Sequence, residues 1–179
     1  MTNEQRTEYQ EFLEQKKQTR IESGFEVSEN DLNPALFPFQ KYCVRRALSA
    51  GKFALFEDCG LGKTIQQLEW SQKVCDKIDR PVLILAPLAV ISQTIKEGEK
   101  FGYKVTELSE TQFGQDLDTG IYITNYDNME HIDAYHFGGV VLDESSILKN
   151  FQGKTRTALI DEFRNTPYKL ACTATPSPN

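Results

Sequence analysis

Six short apolar runs, at 53–56, 82–86, 104–108, 121–124, 139–143 and 168–173, punctuate the chain, and most lack the period-two alternation of a half-exposed strand. Runs of that kind suit strands buried on both faces, as in a parallel sheet. Helical segments lie between them: 64–78, with Ile65, Leu68, Cys75 and Ile78 on one face, then 89–101 and 155–163. This alternation predicts an α/β fold with a mostly parallel sheet of about six or seven strands and helices on both faces.

Ahead of the first run, residues 4–20 are rich in Glu, Gln and Lys, with apolar side chains only at Tyr9, Phe12 and Leu13. They read as a polar surface helix. A turn-rich stretch, SENDLNP at 28–34, leads to a helical segment that opens at Pro38 and closes at Gly51. Residues 1–33 are therefore expected to form a polar helix and lead-in, and 34–179 a single domain. With 39% hydrophobic and 26% charged residues, the chain has the composition of a globular protein. No apolar run reaches the ~18 residues of a membrane span, and a cytoplasmic, monomeric protein is expected. The four cysteines, Cys43, Cys59, Cys75 and Cys172, form no C-x-x-C pair, so free thiols are expected rather than a zinc site. His131 and His136 lack further ligands at metal spacing and read as structural or solvated. Trp70 and Phe101 read as packing residues. The net charge of −6 offers no global attraction to nucleic acid, so such binding would need a local surface.

The chemistry concentrates in EDCGLGKT, Glu57 to Thr64, which follows the first apolar run and opens a helix. Cys59, Gly60, Leu61, Gly62, Lys63 and Thr64 match the end of the phosphate-loop pattern G-x-x-x-x-G-K-[ST]. Backbone N–H groups and the helix N-terminus would cradle phosphates, Lys63 would reach the β and γ phosphates, and the Thr64 hydroxyl would ligate Mg²⁺. The first glycine of the pattern is replaced by Glu57. A second element, VVLDESS at 140–146, places an acid pair after a buried run. Asp143 would hold Mg²⁺, partly through water, and Glu144 would orient the water that attacks the γ phosphate.

These two motifs resemble those of the first RecA-like domain of superfamily-two helicases, closest to the Swi/Snf-type translocases and their phage relatives. The phosphate loop there reads D-E-M-G-L-G-K-T, so Glu57, Asp58 and Cys59 fall on D-E-M and the acid at the first glycine is itself a family feature. The resemblance runs from about Leu36 to Asn179. It implies that Phe39 and Gln40, in LFPFQKYCVRRAL, lie at the nucleotide base, with the Gln40 amide pairing with adenine. It also implies that Pro87 and Leu88, and Thr124, Asn125 and Tyr126 in ITNYDNM, run beside a nucleic-acid backbone. DESSILKN keeps the family spacing from Asp143 to Lys149 and Asn150 but has Ser145 and Ser146 where Ala-His is usual. CTATPSPN places Thr173 and Thr175 to couple toward the acid pair.

The implied activity is hydrolysis of Mg-ATP by the motor half of a DNA-dependent helicase or translocase acting on double-stranded DNA. Family members need a second RecA-like domain with arginine fingers, and residues 1–179 carry none of its motifs. Two other readings compete: an RNA helicase domain of the DEAD or DEAH kind, and a small P-loop kinase or nucleotide-binding module. DESS with Lys-Asn downstream weighs against the first of these and Thr-Ala-Thr-Pro against the second.

Overall fold

A computed structural model of the chain describes residues 23–145 and 153–174. The polar segment at 4–20, Lys149, Asn150 and Thr175 lie outside the described residues. Six strands, β1 (Lys52–Phe56), β2 (Val82–Ala86), β3 (Val105–Glu107), β4 (Ile121–Asn125), β5 (Gly139–Leu142) and β6 (Tyr168–Thr173), form one sheet in the order β1-β6-β5-β2-β4-β3. Every pairing is parallel.

The alternation of side chains along each strand divides the core in two. On one face Val82, Ile84, Ile121, Ile123, Val141 and Leu170 pack against α1 (Pro38–Ala50), α2 (Lys63–Ile78) and α3 (Leu88–Phe101). On the other, Leu83, Leu85, Tyr122 and Val140 pack with Leu159 of α4 (Gly153–Glu162) and with Phe163 just after it. Trp70 and Leu68, at 0% exposure, sit at the centre of the first cluster, so Trp70 is a packing residue as expected. At about 25 cal/mol per Å² of apolar surface removed from water, this burial is the main favourable contribution to folding.

Two features of the structure bear on the sequence expectation. The run 53–56 reads as a strand buried on both faces, yet β1 is an edge strand in which Ala54 is exposed and Phe56 is 61% exposed. An apolar run reports only that a strand is apolar, not whether a second strand pairs beside it. The expected division at 33/34 falls inside a packed strap. Leu32 and Leu36 are buried in the same core as Trp70. The Phe25 amide donates to the Leu48 carbonyl at 3.0 Å, and its ring meets Tyr168 edge-to-face. Among the described residues no helix is long and apolar enough to cross a membrane.

Candidate nucleotide site

Parallel strands aim their carboxyl ends at one edge of the sheet, and ligands of such folds bind there. The end of β1 carries the phosphate loop, the end of β5 carries Asp143 and Glu144, and Thr173 ends β6, which lies between them. Three segments distant in sequence thereby share one site. Pro87 and Leu88 follow β2, and Asn125 ends β4, along the same edge.

The loop conformation depends on two glycines. Gly60 and Gly62 adopt φ of +84° and +75°, a region that costs L side chains about 1–2 kcal/mol. A Cβ on Gly60 would meet nothing within 4 Å, so its backbone faces an open space. A Cβ on Gly62 would lie 2.4 Å from Gln40 Nε2. Lys63, the first residue of α2, donates through Nζ to the carbonyls of Glu57 (2.8 Å) and Asp58 (3.1 Å). The ammonium is thus folded back on its own loop, and an anion binding there would replace those carbonyls as its partners.

Glu57 does not confront the anion site. Its amide continues the ladder to the Thr173 carbonyl (3.2 Å), and its Oε2 accepts from Gln66 Nε2 at 2.7 Å. Burial and the neighbouring Glu57 carboxylate push the Cys43 thiol pKa up. The acid in the place of the first glycine therefore ties the loop to the first turns of α2.

Asp143 follows β5, and its amide donates to the Leu85 carbonyl at 2.8 Å. Its Oδ1 accepts from Gln67 Nε2 at 2.9 Å. Burial pushes its carboxyl pKa up; the bond from Gln67 opposes the shift, the charge on Glu144 adds to it and that on Lys63 opposes it. Glu144 stands at φ +52°, a left-handed conformation uncommon outside glycine, and its Oε1 accepts from Thr173 Oγ1 at 2.8 Å. Thr173 thereby contacts the acid pair directly. Sequence reasoning missed Gln66 and Gln67. The signal was there in their position on the buried side of α2, where a fully buried amide needs a polar partner.

A group such as Mg-ATP suits these residues. A cation, an open backbone cradle at Gly60, the Thr64 hydroxyl and the Asp143 carboxylate converge on one edge. Mg²⁺ is usually held by one or two carboxylates together with phosphate oxygens, so a ready-made cage of protein ligands is not needed. Gln67 Oε1 is buried without a hydrogen-bond partner among the described residues, which leaves an acceptor beside Asp143.

Beside the loop, a cavity of about 360 Å³ is lined by Phe37, Phe39, Gln40, Leu61 and Phe101, among others. The Phe37 and Phe39 rings stack at 6.3 Å and are 64% and 44% exposed. Gln40 is buried at 4% exposure; its Oε1 accepts from the Phe37 amide (2.9 Å) and its Nε2 donates to the Leu61 carbonyl (2.8 Å). Gln40 thus borders the cavity while its amide braces the phosphate loop.

The expected nucleic-acid residues separate. Leu88 is 67% exposed and Pro87 and Asn125 are half-buried. Thr124 is only 2% exposed, with its hydroxyl accepting from Asn128 Nδ2 at 2.9 Å, and Tyr126 is 6% exposed. Both side chains point into the protein, so the expectation that they reach a phosphate backbone is corrected. His131 is exposed and stacks with Phe113, and His136 faces Asp116 and Asp133, consistent with structural or solvated roles. Among the described residues no cluster of three or more His, Cys, Asp or Glu could hold a metal, and all four cysteines are free.

The family described as SNF2-related domain matches residues 48–179, from just before β1 through the end of the chain. The chain belongs to the SNF2-related domain family. It is 27% identical over 141 residues to the SWI/SNF chromatin-remodeling complex subunit snf22 of Schizosaccharomyces pombe, covering 70% of this chain and 8% of that protein. Protein p41 of Acyrthosiphon pisum secondary endosymbiont phage 1 is 26% identical over 170 residues, covering 79% and 36%. The chain therefore spans only a minor part of either relative. In fold, this SNF2-related domain is similar to the Sulfolobus solfataricus SWI2/SNF2 ATPase core in complex with dsDNA, with a TM-score of 0.69, 22% identity, and coverage of 85% of this chain and 34% of that one. It is similar also to the UvsW helicase from Bacteriophage T4, with a TM-score of 0.71, 14% identity, and coverage of 88% and 64%. The expected RecA-like architecture is the observed one.

Proposed function

We propose that this domain binds Mg-ATP and, joined to a second RecA-like domain, hydrolyses it to drive movement along double-stranded DNA. The observation that carries the reading is the convergence of Lys63 and Thr64, Asp143 and Glu144, and Thr173 at the ends of three neighbouring strands. When bound, Mg-ATP supplies the electrophilic γ phosphorus and the cation that shields its charge. Thr64 and Asp143 would hold the metal, and Lys63 would meet charge on the β and γ phosphates. Glu144, anchored by Thr173, would orient the attacking water. Phe37 and Phe39 offer exposed rings to a base in the adjoining cavity. Gln40 would read adenine only by exchanging a present partner for the base. Pro87, Leu88 and Asn125 supply the wall along which a phosphate backbone would run.

The test is phosphate release by the protein containing both RecA-like domains, with and without double-stranded DNA. Lys63→Ala should abolish turnover. Glu144→Gln should keep nucleotide binding and lose turnover by a factor on the order of 10² or more. Half the parental rate in Lys63→Ala would remove the phosphate-loop reading. Residues 1–179 alone should turn over negligibly, because an arginine finger from another domain is worth about 10³–10⁵ in rate. Membership of the SNF2-related family, and the dsDNA held in complex by the similar Sulfolobus SWI2/SNF2 ATPase core, support DNA over RNA as the partner.

A further inference from the structure

We propose that Tyr126 is a positioning residue that links the loop after β4 to the Asp143–Glu144 peptide, so that contacts made at that loop adjust the water-orienting acid. The inference rests on the proposed ATPase reading and deepens it by naming how the nucleic-acid edge is coupled to the acid pair. Tyr126 begins a 3-10 turn, Tyr126–His131, directly after β4. Its hydroxyl donates to the Asp143 carbonyl at 2.8 Å, reaching past the end of β2 to the strand beyond.

That carbonyl belongs to the peptide whose plane sets the φ of Glu144, and Glu144 is held at φ +52°. Besides Asp79, it is the non-glycine residue with positive φ among the described residues. A side chain in this region relaxes unless its surroundings hold it there, and such strain is commonly found at working sites. Two bonds flank the strained residue: Tyr126 grips the peptide before it, and Thr173 grips its carboxylate at 2.8 Å.

The outer side of the same turn is built to transmit a displacement. Asn125 Oδ1 accepts from the Asn128 amide at 3.0 Å, and Asn128 Nδ2 donates to Thr124 Oγ1 at 2.9 Å. Asn125 and Asn128 are half-buried at the edge, while Tyr126 and Met129 are buried behind them. A phosphate drawing on Asn125 would thus pull on a closed turn whose inner member is bonded to the acid strand. Tyr126 never touches DNA in this scheme.

The experiment is Tyr126→Phe in the full chain together with its second RecA-like domain. Five quantities are measured: affinity for double-stranded DNA by anisotropy, affinity for a fluorescent ATP analogue, kcat and KM at saturating DNA, and hydrogen exchange over residues 139–145 with and without DNA. The expected result is a fall in kcat of about five- to tenfold, the rate equivalent of one hydrogen bond, with both affinities and KM within about twofold of the parent. DNA should slow exchange over 139–145 in the parent and not in the variant. Weakened DNA affinity with parental kcat at saturation would overturn the proposal by making Tyr126 a binding residue, and parental kcat with parental DNA-dependent exchange would overturn it outright. Should Tyr126→Phe fail to fold, Asn128→Ala loosens the same turn from outside and must show the same loss of kcat, or the proposal is wrong. A parent protein whose turnover ignores DNA would overturn instead the DNA-coupled motor reading beneath it.

Discussion

Replacing Gly62 and Gly60 by alanine, separately, distinguishes backbone strain from the bracing role of Gln40. Both glycines have positive φ, +75° and +84°, so each alanine carries a backbone penalty of about 1–2 kcal/mol. Gly60→Ala should cost no more than that, because its Cβ would meet nothing within 4 Å. At Gly62 the new Cβ would lie 2.4 Å from Gln40 Nε2, and the side chain must move. A flexible glutamine on the surface would swing away at little cost. Gln40 is 4% exposed and is held at both ends of its amide, by Leu61 and Phe37. Moving it gives up one or both bonds, each worth a net ~0.5–1.5 kcal/mol, so Gly62→Ala should cost about 2–4 kcal/mol in all.

The assay is urea unfolding with the slope held common across variants. A double-mutant cycle then isolates the cause: in a Gln40→Ala background the Gly62 penalty should fall to that of Gly60, giving a coupling of about 1–2 kcal/mol between positions 40 and 62. If Gly62→Ala costs no more than Gly60→Ala, or if the excess survives removal of the Gln40 side chain, Gln40 does not brace the loop and the geometric argument is refuted.

Further expectations concern the thiols, the acid strand and the core. Cys59, exposed in the phosphate loop, should react first with a thiol reagent and be protected by nucleotide. Burial lifts the Cys75 pKa to about 12, so its thiol should label only on unfolding. Because that shift is upward, the stability it contributes is complete below the unfolded thiol's value of 9.0 and is lost as pH rises through about 12, which unfolding followed against pH will check. Gln67→Met removes a bond that favours the Asp143 carboxylate, so the acid limb of the pH–rate profile should move to higher pH; an unmoved limb would disconnect Gln67 from the ionisation of Asp143. Leu68→Ala, at a fully buried position, should lose about 2–5 kcal/mol in the same unfolding assay.

The parts of this domain legible in its sequence are those with local causes. An apolar run without alternation announces a buried strand wherever it is paired, and a Gly-x-Gly-Lys-Thr turn carries its own backbone geometry. Hence the strands, the helices between them and the loop could be placed from the residues alone. What could not be placed depends on neighbours chosen by the crossovers. The run at 53–56 looks as apolar as that at 82–86, yet β1 pairs on one side and β2 on two. Register adds a second limit, since a step of one residue along a strand turns a side chain to the opposite face. At the end of β4 the hydroxyl of Thr124 turns inward while Asn125 is half-exposed, although both are polar and adjacent in one motif. The same reasoning accounts for Glu57. A pattern match aligns its carboxylate with an anion site. But the bond from its amide to Thr173 fixes the strand register, and Gln66 on the next helix takes the carboxylate. The sheet thus decides which way the acid faces, and α2 supplies a hydrogen bond to one of its two carboxylate oxygens.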